Sequence, residues 1–374
     1  MTVPQIDLVS QHEDLLPQLR EAFDDILATG GFLLGPYVEA FERKLAAVCE
    51  TPHAIALSSG TDALLVSLMA CGFERGDEVI VPSFTFFATA GSVVRAGLTP
   101  VFVDIEPRSF NIDPEAIAAA VTDRTRAIIP VHLFGQAAAM GRINEIAAAH
   151  GLAVIEDAAQ AIGARVDGRS VGGLGQLGCL SFYPTKNLAG LGDGGAVVTR
   201  DDGLAARVRC FRNHGQTGAY EHQYVGGNFR LDAIQGAALG LKIDRLASYN
   251  ERRGRLACRY FEKLAGLPLG LPEAESLHVF NQFTVRVGGD ARPAGAARER
   301  DALLKHLNEH GVAARVYYPK GLHEQPCFIG LGRRGGDLVQ TEQACAEVLS
   351  LPIYPEMTDV QQDEVVSQVR SFFS

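Results

Sequence analysis

Up to Thr199, short β-branched runs alternate with Ala-rich helical stretches, and this alternation constrains the fold more than any other feature. Glu78–Val81, Pro100–Asp104, Ala127–His132, Ala153–Glu156, Cys179–Phe182 and Ala196–Thr199 read as strands. Several are apolar throughout, as strands buried on both faces are. Asp62–Cys71, Ala88–Ala96, Pro114–Val121 and Met140–Ala149 read as helices between them. Such alternation predicts an α/β large domain, with a mixed, mostly parallel sheet flanked by helices. From about Gln235 the texture changes. A charged helical stretch runs through Lys242, Arg245 and Glu251 to Lys263. After it come strand-like Phe280–Val287, a helix around Ala302–His310, strand-like Ala314–Tyr318 and a final helix near Val360–Phe372. That pattern predicts a smaller C-terminal α+β domain. The 374 residues divide near Ser248 into domains 1–248 and 249–374, as expected of a chain this long.

Composition excludes several classes. Hydrophobic residues at 47% and charged residues at 21% are ordinary globular values, which removes disordered and low-complexity chains. The formal net charge of -10 argues against a nucleic-acid partner, because tracking a phosphate backbone needs a basic surface. The seven cysteines are odd in number and scattered, with no C-x-x-C pair. Neither a disulfide framework nor a bound metal is expected from them. Met1–Asp14 carries Asp7, Glu13 and Asp14 and no basic run, unlike a signal peptide. No apolar stretch approaches the roughly 20 residues of a membrane span. The expectation is a cytoplasmic protein with no membrane partner.

Two segments, 173–178 and 190–195, match G-x-G-x-x-G. Each is followed by a strand-like run where a dinucleotide fingerprint requires a helix, so neither reads as a nicotinamide site. Ser58-Ser59-Gly60-Thr61-Asp62 precedes a helical run. Its free N–H groups suit a phosphate, and an ordinary N-cap has the same composition. Of the six lysines, Lys44, Lys263 and Lys305 lie in charged amphipathic helices and read as solvated, with Lys242 in a similar setting. Lys186 differs: it follows a buried-type strand and precedes the glycine-rich Gly190–Gly195. Desolvation there would make its amine nucleophilic. A plain surface-loop lysine is the alternative. Asp157 ends a buried strand, where α/β sheets bind ligands; it could equally cap the next helix.

A phosphate cradle, a strand-end carboxylate and a desolvated lysine together are what pyridoxal 5'-phosphate requires. The lysine forms the Schiff base, and the carboxylate keeps the pyridine nitrogen protonated. An aromatic side chain over the ring would complete the site. Phe86 follows a strand at a suitable place, Phe87 competes with it, and core packing is open to either.

The ordered set of motifs resembles the DegT/StrS-type nucleotide-sugar aminotransferases, which are fold type I pyridoxal phosphate enzymes. The resemblance runs from Ile6-Asp-Leu through Ser59-Gly-Thr-Asp-Ala-Leu64, Thr85-Phe-Phe-Ala-Thr89 and Glu156-Asp-Ala-Ala-Gln160. It continues through Ser181-Phe-Tyr-Pro-Thr-Lys186-Asn-Leu188, Gly192-Asp-Gly-Gly195 and Asn228-Phe-Arg-Leu-Asp232, and ends at Tyr318-Pro-Lys-Gly-Leu-His323. It implies an aspartate aminotransferase-like fold with Lys186 as the Schiff-base lysine and Asp157 on the pyridine nitrogen. It also implies Gln160 at the ring hydroxyl, Gly60, Thr61 and Ser181 at the phosphate, and Phe86 on the ring. Asn228 would reach the phosphate from the neighbouring subunit of a homodimer with shared active sites. Tyr317 and His323 fall where the family lines its sugar pocket, with domain packing as their other reading. Leu191, Phe229 and Gly321 depart from the commoner pattern.

The activity implied is transfer of an amino group from glutamate to a keto-sugar nucleotide. The segments His278–Phe283 and Tyr317–Pro326 look most like those of enzymes acting on 3-keto sugars. A 4-keto sugar, or a non-enzymatic sensor of the same family, are the alternatives. A sugar 3-dehydratase would carry histidine in place of Lys186.

Overall fold

The structure, a computed structural model, describes residues 2–273, 278–288 and 296–374. Eight strands form the large sheet: β1 (His53–Leu57), β2 (Glu78–Pro82), β3 (Thr99–Val103), β4 (Thr125–Ile128), β5 (Ala153–Asp157), β6 (Leu177–Ser181), β7 (Gly195–Thr199) and β8 (Arg333–Arg334). Their spatial order is β1-β7-β6-β5-β4-β2-β3-β8. The run from β6 to β8 is parallel, and β7 pairs antiparallel with both β6 and β1.

Side chains alternate across each strand, and both faces are covered. Ile55, Leu57, Val79, Val81, Ile155 and Val197 pack with the helices Gly60–Cys71, Ala88–Arg95 and Asp202–Arg212. On the opposite face Ile80, Val101, Ile128 and Val154 meet Pro114–Ala120 and Met140–His150. Ala54, Ala56, Leu180 and Val198 meet Gly35–Val48 on that side. Burial on both faces is why these strands are apolar at nearly every position.

The second core lies in a three-stranded antiparallel sheet of Leu269–Gly270, Phe283–Val287 and Val348–Leu351. Helices Leu246–Leu264, Ala296–Glu309 and Asp359–Phe372 contribute Tyr260, Leu303 and Val365 to it. Tyr260 and Phe283 hold their ring centroids 4.8 Å apart. The chain crosses between the units at both ends: Val3 packs into this second core, and β8 returns to the edge of the large sheet. Among the described residues no helix is long and apolar enough to cross a membrane.

Three local expectations need correction. Ala314–Tyr318 is not a strand; only Arg315 pairs, as an isolated bridge to Ser350, because Tyr317 and Tyr318 turn into a cleft. Lys242 is not solvated but fully buried, donating to Gln11 Oε1 at 2.8 Å. The N-terminal segment covers it, a contact 231 residues apart in sequence. The helix read from Asp62 begins at Gly60.

Candidate active site

A cleft of about 810 Å³ opens at the carboxyl ends of the parallel strands, where open α/β sheets bind ligands. Lys186, Asp157, Gly60, Thr61, Ser181, Phe86, Gln160 and Tyr317 all line it. Asn228 is exposed elsewhere on its own chain, paired through the backbone with Asn213. The side chain of His323 is only 1% exposed. It lies behind the cleft wall, with Nδ1 2.6 Å from Ser83 Oγ.

Lys186 sits on the loop after β6, its amide donating to the Tyr183 carbonyl at 2.8 Å. Its Nζ has no hydrogen-bond partner among the described residues. Desolvation lowers its pKa to about 8, against the opposing pull of the Asp157 charge. The amine is therefore far closer to neutral than an exposed lysine.

Asp157 is the last residue of β5 and is 5% exposed. Its carboxylate accepts from Thr89 Oγ1 at 2.8 Å and from the Ala159 amide at 3.2 Å. Burial raises its pKa, while these donors and the neighbouring Lys186 oppose the rise. A cation placed against it would relieve that penalty.

Behind it, His132 Nδ1 accepts from the Ala138 amide at 3.1 Å. Its Nε2–H is thereby directed to Glu156 Oε2, 2.9 Å away. Glu156 also accepts from the amides of Gly172, Leu174 and Gly175 at 2.6–2.7 Å. The first glycine-rich run thus cradles the protein's own carboxylate, which accounts for its failure as a dinucleotide fingerprint.

Ser59 caps the helix Gly60–Cys71, accepting from the Asp62 amide at 3.0 Å. The cap and the phosphate reading coexist: the Gly60 and Thr61 amides lie in the first turn, where helical N–H groups lack intrahelical acceptors. Close approach dictates the glycines here. A Cβ on Gly60 would stand 2.6 Å from Ser181 Cβ, and one on Gly195 would stand 2.3 Å from the Ser59 carbonyl carbon. The second glycine-rich run therefore lets β7 pass against the helix start.

Phe87 stacks on Phe328 at 5.3 Å. Phe86 is 56% exposed and only tilted toward Tyr318, so its ring face is the available one. Gln160 Oε1 accepts from the Phe134 amide at 2.6 Å, and its Nε2 donates to Tyr318 Oη at 3.3 Å.

Two cleft groups, Tyr318 and Gln282, and one buried partner of Asp157, Thr89, escaped the sequence reading. Thr89 lies one helical turn after Thr85 in a quoted motif, a spacing that could have flagged it. Tyr318 and Gln282 carry no local signal. Gln282 lines the cleft, and its Oε1 is buried without a hydrogen-bond partner among the described residues.

The sequence model of the DegT/DnrJ/EryC1/StrS aminotransferase family matches residues 14–370. The chain belongs to this family. It is 46% identical to a protein of Geobacillus stearothermophilus named pleiotropic regulatory protein, covering 100% of this chain and 99% of that one. It is 42% identical to the UDP-N-acetyl-3-dehydro-alpha-D-glucosamine 3-aminotransferase of Acidithiobacillus ferrooxidans, over 98% and 97% of the two chains. The crystal structure of S. venezuelae DesV in complex with a ketimine intermediate matches with a TM-score of 0.93 at 42% identity, covering 100% and 99%. The aminotransferase has the fold type I architecture and depends on pyridoxal 5'-phosphate. Its residues fit that cofactor: an unpartnered, desolvated amine, a buried carboxylate in the same cleft and a helix start stripped of side chain at Gly60.

Proposed function

We propose that this aminotransferase moves an amino group from glutamate to C3 of a nucleotide-linked keto-sugar, making an amino sugar. The observation that carries this reading is the meeting of a desolvated lysine and a buried carboxylate in one cleft. At about 810 Å³ the cleft is near the upper end of small-molecule sites, with room for more than a cofactor. The name of the Acidithiobacillus relative supports C3, as do the His278–Phe283 and Tyr317–Pro326 segments; a 4-keto sugar uses the same machinery.

When bound, the cofactor supplies an electron sink for charge developing on the substrate carbon. Lys186 would hold it, and its desolvated Nζ would be the group that moves a proton at that carbon. Asp157 holds positive charge on the ring nitrogen, with Thr89 and Ala159 fixing its carboxylate. Gly60, Thr61 and Ser181 would hold its phosphate, with Phe86 and Gln160 as the residues that would contact its ring. Tyr317 and Gln282 face the sugar, with His323 supporting the wall from behind through Ser83.

The reading includes a homodimer in which Asn228 serves the partner's site. Apolar side chains left exposed at Phe23, Leu27, Phe32 and Leu33 support a covered face, as does the exposure of Val225 near Asn228. We also infer a cytoplasmic enzyme, and a division into domains 1–248 and 249–374 across which Val3 packs into the second core and Leu322, Phe328 and Leu338 pack into the first.

The Geobacillus relative's name favours a second reading, a regulator. A panel of 3-keto and 4-keto sugar nucleotides with glutamate separates the readings. Amine formation from 3-keto sugars is expected. Turnover of 4-keto sugars alone moves the reaction to C4, and binding without turnover supports the regulator.

A further inference from the structure

Lys186 is followed by a residue whose side chain is wholly committed. Asn187 is 2% exposed. Its Nδ2 donates to Asn250 Oδ1 at 2.8 Å and to the Val279 carbonyl at 2.9 Å. Its Oδ1 accepts from Asn281 Nδ2 at 2.9 Å. Asn250 Nδ2 donates in turn to the Ile162 carbonyl at 3.0 Å. Three asparagines from three distant stretches thus meet beneath the lysine loop: the loop itself, the helix Leu246–Leu264, and the segment leading into the strand Phe283–Val287.

A second tie holds the same segment. Arg253, nearly one turn after Asn250 and 1% exposed, donates through Nη1 to the carbonyls of Phe280 at 3.2 Å and Ile353 at 2.7 Å. Apolar side chains would fill this space without needing partners. A satisfied amide cluster adds one thing they cannot, a unique geometry, because each donor accepts only one arrangement. Apart from the cluster, the lysine's own backbone is held by the turn bond to Tyr183.

We propose that Asn187 is the positioning residue for Lys186, with Asn250 and Asn281 anchoring it so that the lysine side chain projects into the cleft it shares with Asp157. Asn281 precedes Gln282, which lines that cleft. The lysine and the facing wall are thereby held as one piece, and the second core is tied directly to the reacting amine. The inference rests on the reading of Lys186 as the lysine that bonds the cofactor.

The test uses apoprotein and two forms of the cofactor. Pyridoxal phosphate has the aldehyde that bonds Lys186; pyridoxamine phosphate lacks it and reports only the non-covalent contacts. Asn281→Ala should slow bonding of pyridoxal phosphate about tenfold, the value of one net buried hydrogen bond, and Asn187→Ala, which removes three such bonds, at least as much. The double variant should be no slower than Asn187→Ala, since the bond Asn281 makes to Asn187 is already lost there. Affinity for pyridoxamine phosphate should stay within about twofold of the parent. Unchanged bonding, additive losses, or equal losses for both cofactor forms would overturn the proposal. Should Asn187→Ala not fold, Asn281→Ala decides alone. Borohydride mapping of the parent protein separates the two layers. Label at Lys186 with unaffected variants defeats the positioning role only, whereas label on another lysine removes the reading beneath it as well.

Discussion

Lys186 and Lys242 are both pushed down to about 8 by burial, yet only one of them can act. Lys242 is enclosed and bonded to Gln11; Lys186 opens onto the cleft with its amine free. Because the neutral amine is the nucleophile, bonding of pyridoxal phosphate by the apoprotein should accelerate as pH rises through about 8 and then level off. A rate that climbs steadily toward the ordinary lysine range would contradict the desolvated amine. Lys186→Ala should leave a folded protein with no transamination, and any glutamate-dependent turnover would sink the assignment. Asp157→Asn keeps the shape and the Thr89 contact but removes the charge that a protonated ring needs. Its single-turnover rate should drop by about a hundredfold or more, the usual scale for one lost electrostatic stabiliser, with cofactor still bound. A near-parental rate would reduce Asp157 to a helix cap.

Two-residue β8 is too short to hold itself on the sheet edge, and a buried carboxylate on β2 anchors it. Glu78, 0% exposed, accepts from Arg333 Nε at 2.9 Å and Nη2 at 2.8 Å, from Arg124 at 2.9 Å and from Thr122 at 2.7 Å. Arg333, first among these, holds the Glu78 carboxyl down to about 2, below its ordinary 4.5. A depressed carboxyl contributes stability that is complete above about pH 4.5 and is lost as pH falls toward 2. Glu78→Gln should therefore loosen β8 at neutral pH. Exchange of the Gly335 amide, which donates to Phe102 at 2.7 Å, should quicken about tenfold or more, and the parent should lose this protection on acidification through the same window. Equal protection in variant and parent would show that β8 is held by packing alone.

At the scale of the whole molecule, the cleft draws on both cores, and the proposed dimer adds a third source. Asn228 lies outside its own cleft, so a role at the phosphate requires a second copy. A hydrogen bond to a charged acceptor contributes about 1.5–3 kcal/mol, so Asn228→Ala should weaken cofactor affinity by roughly ten- to a hundredfold. At cofactor levels that leave this variant nearly inactive, mixing it with Lys186→Ala should restore activity, since each heterodimer contains one undamaged site. Heterodimers seen by mass spectrometry without recovered activity would place Asn228 outside any shared site.

Sequence alone determined the parallel sheet, since continuous apolar runs between helical periods have few other solutions. It also singled out Lys186 and Asp157 as candidates, because Asp157 ends a buried strand and Lys186 lies between a buried strand and the glycine-rich Gly190–Gly195. It did not reveal β1 or β8, which are Ala-rich or two residues long and owe their strand form to neighbours. Likewise it read Lys242 as solvated, because burial by a segment 231 residues away leaves no mark on local periodicity. The stacking of Phe87 on Phe328 has no local signal, and the commitment of Asn187 turned on Asn250 and Asn281. Local pattern records which face of an element is apolar; only the tertiary structure decides which polar groups meet across the gaps between elements, because those distances are set by packing rather than by spacing along the chain.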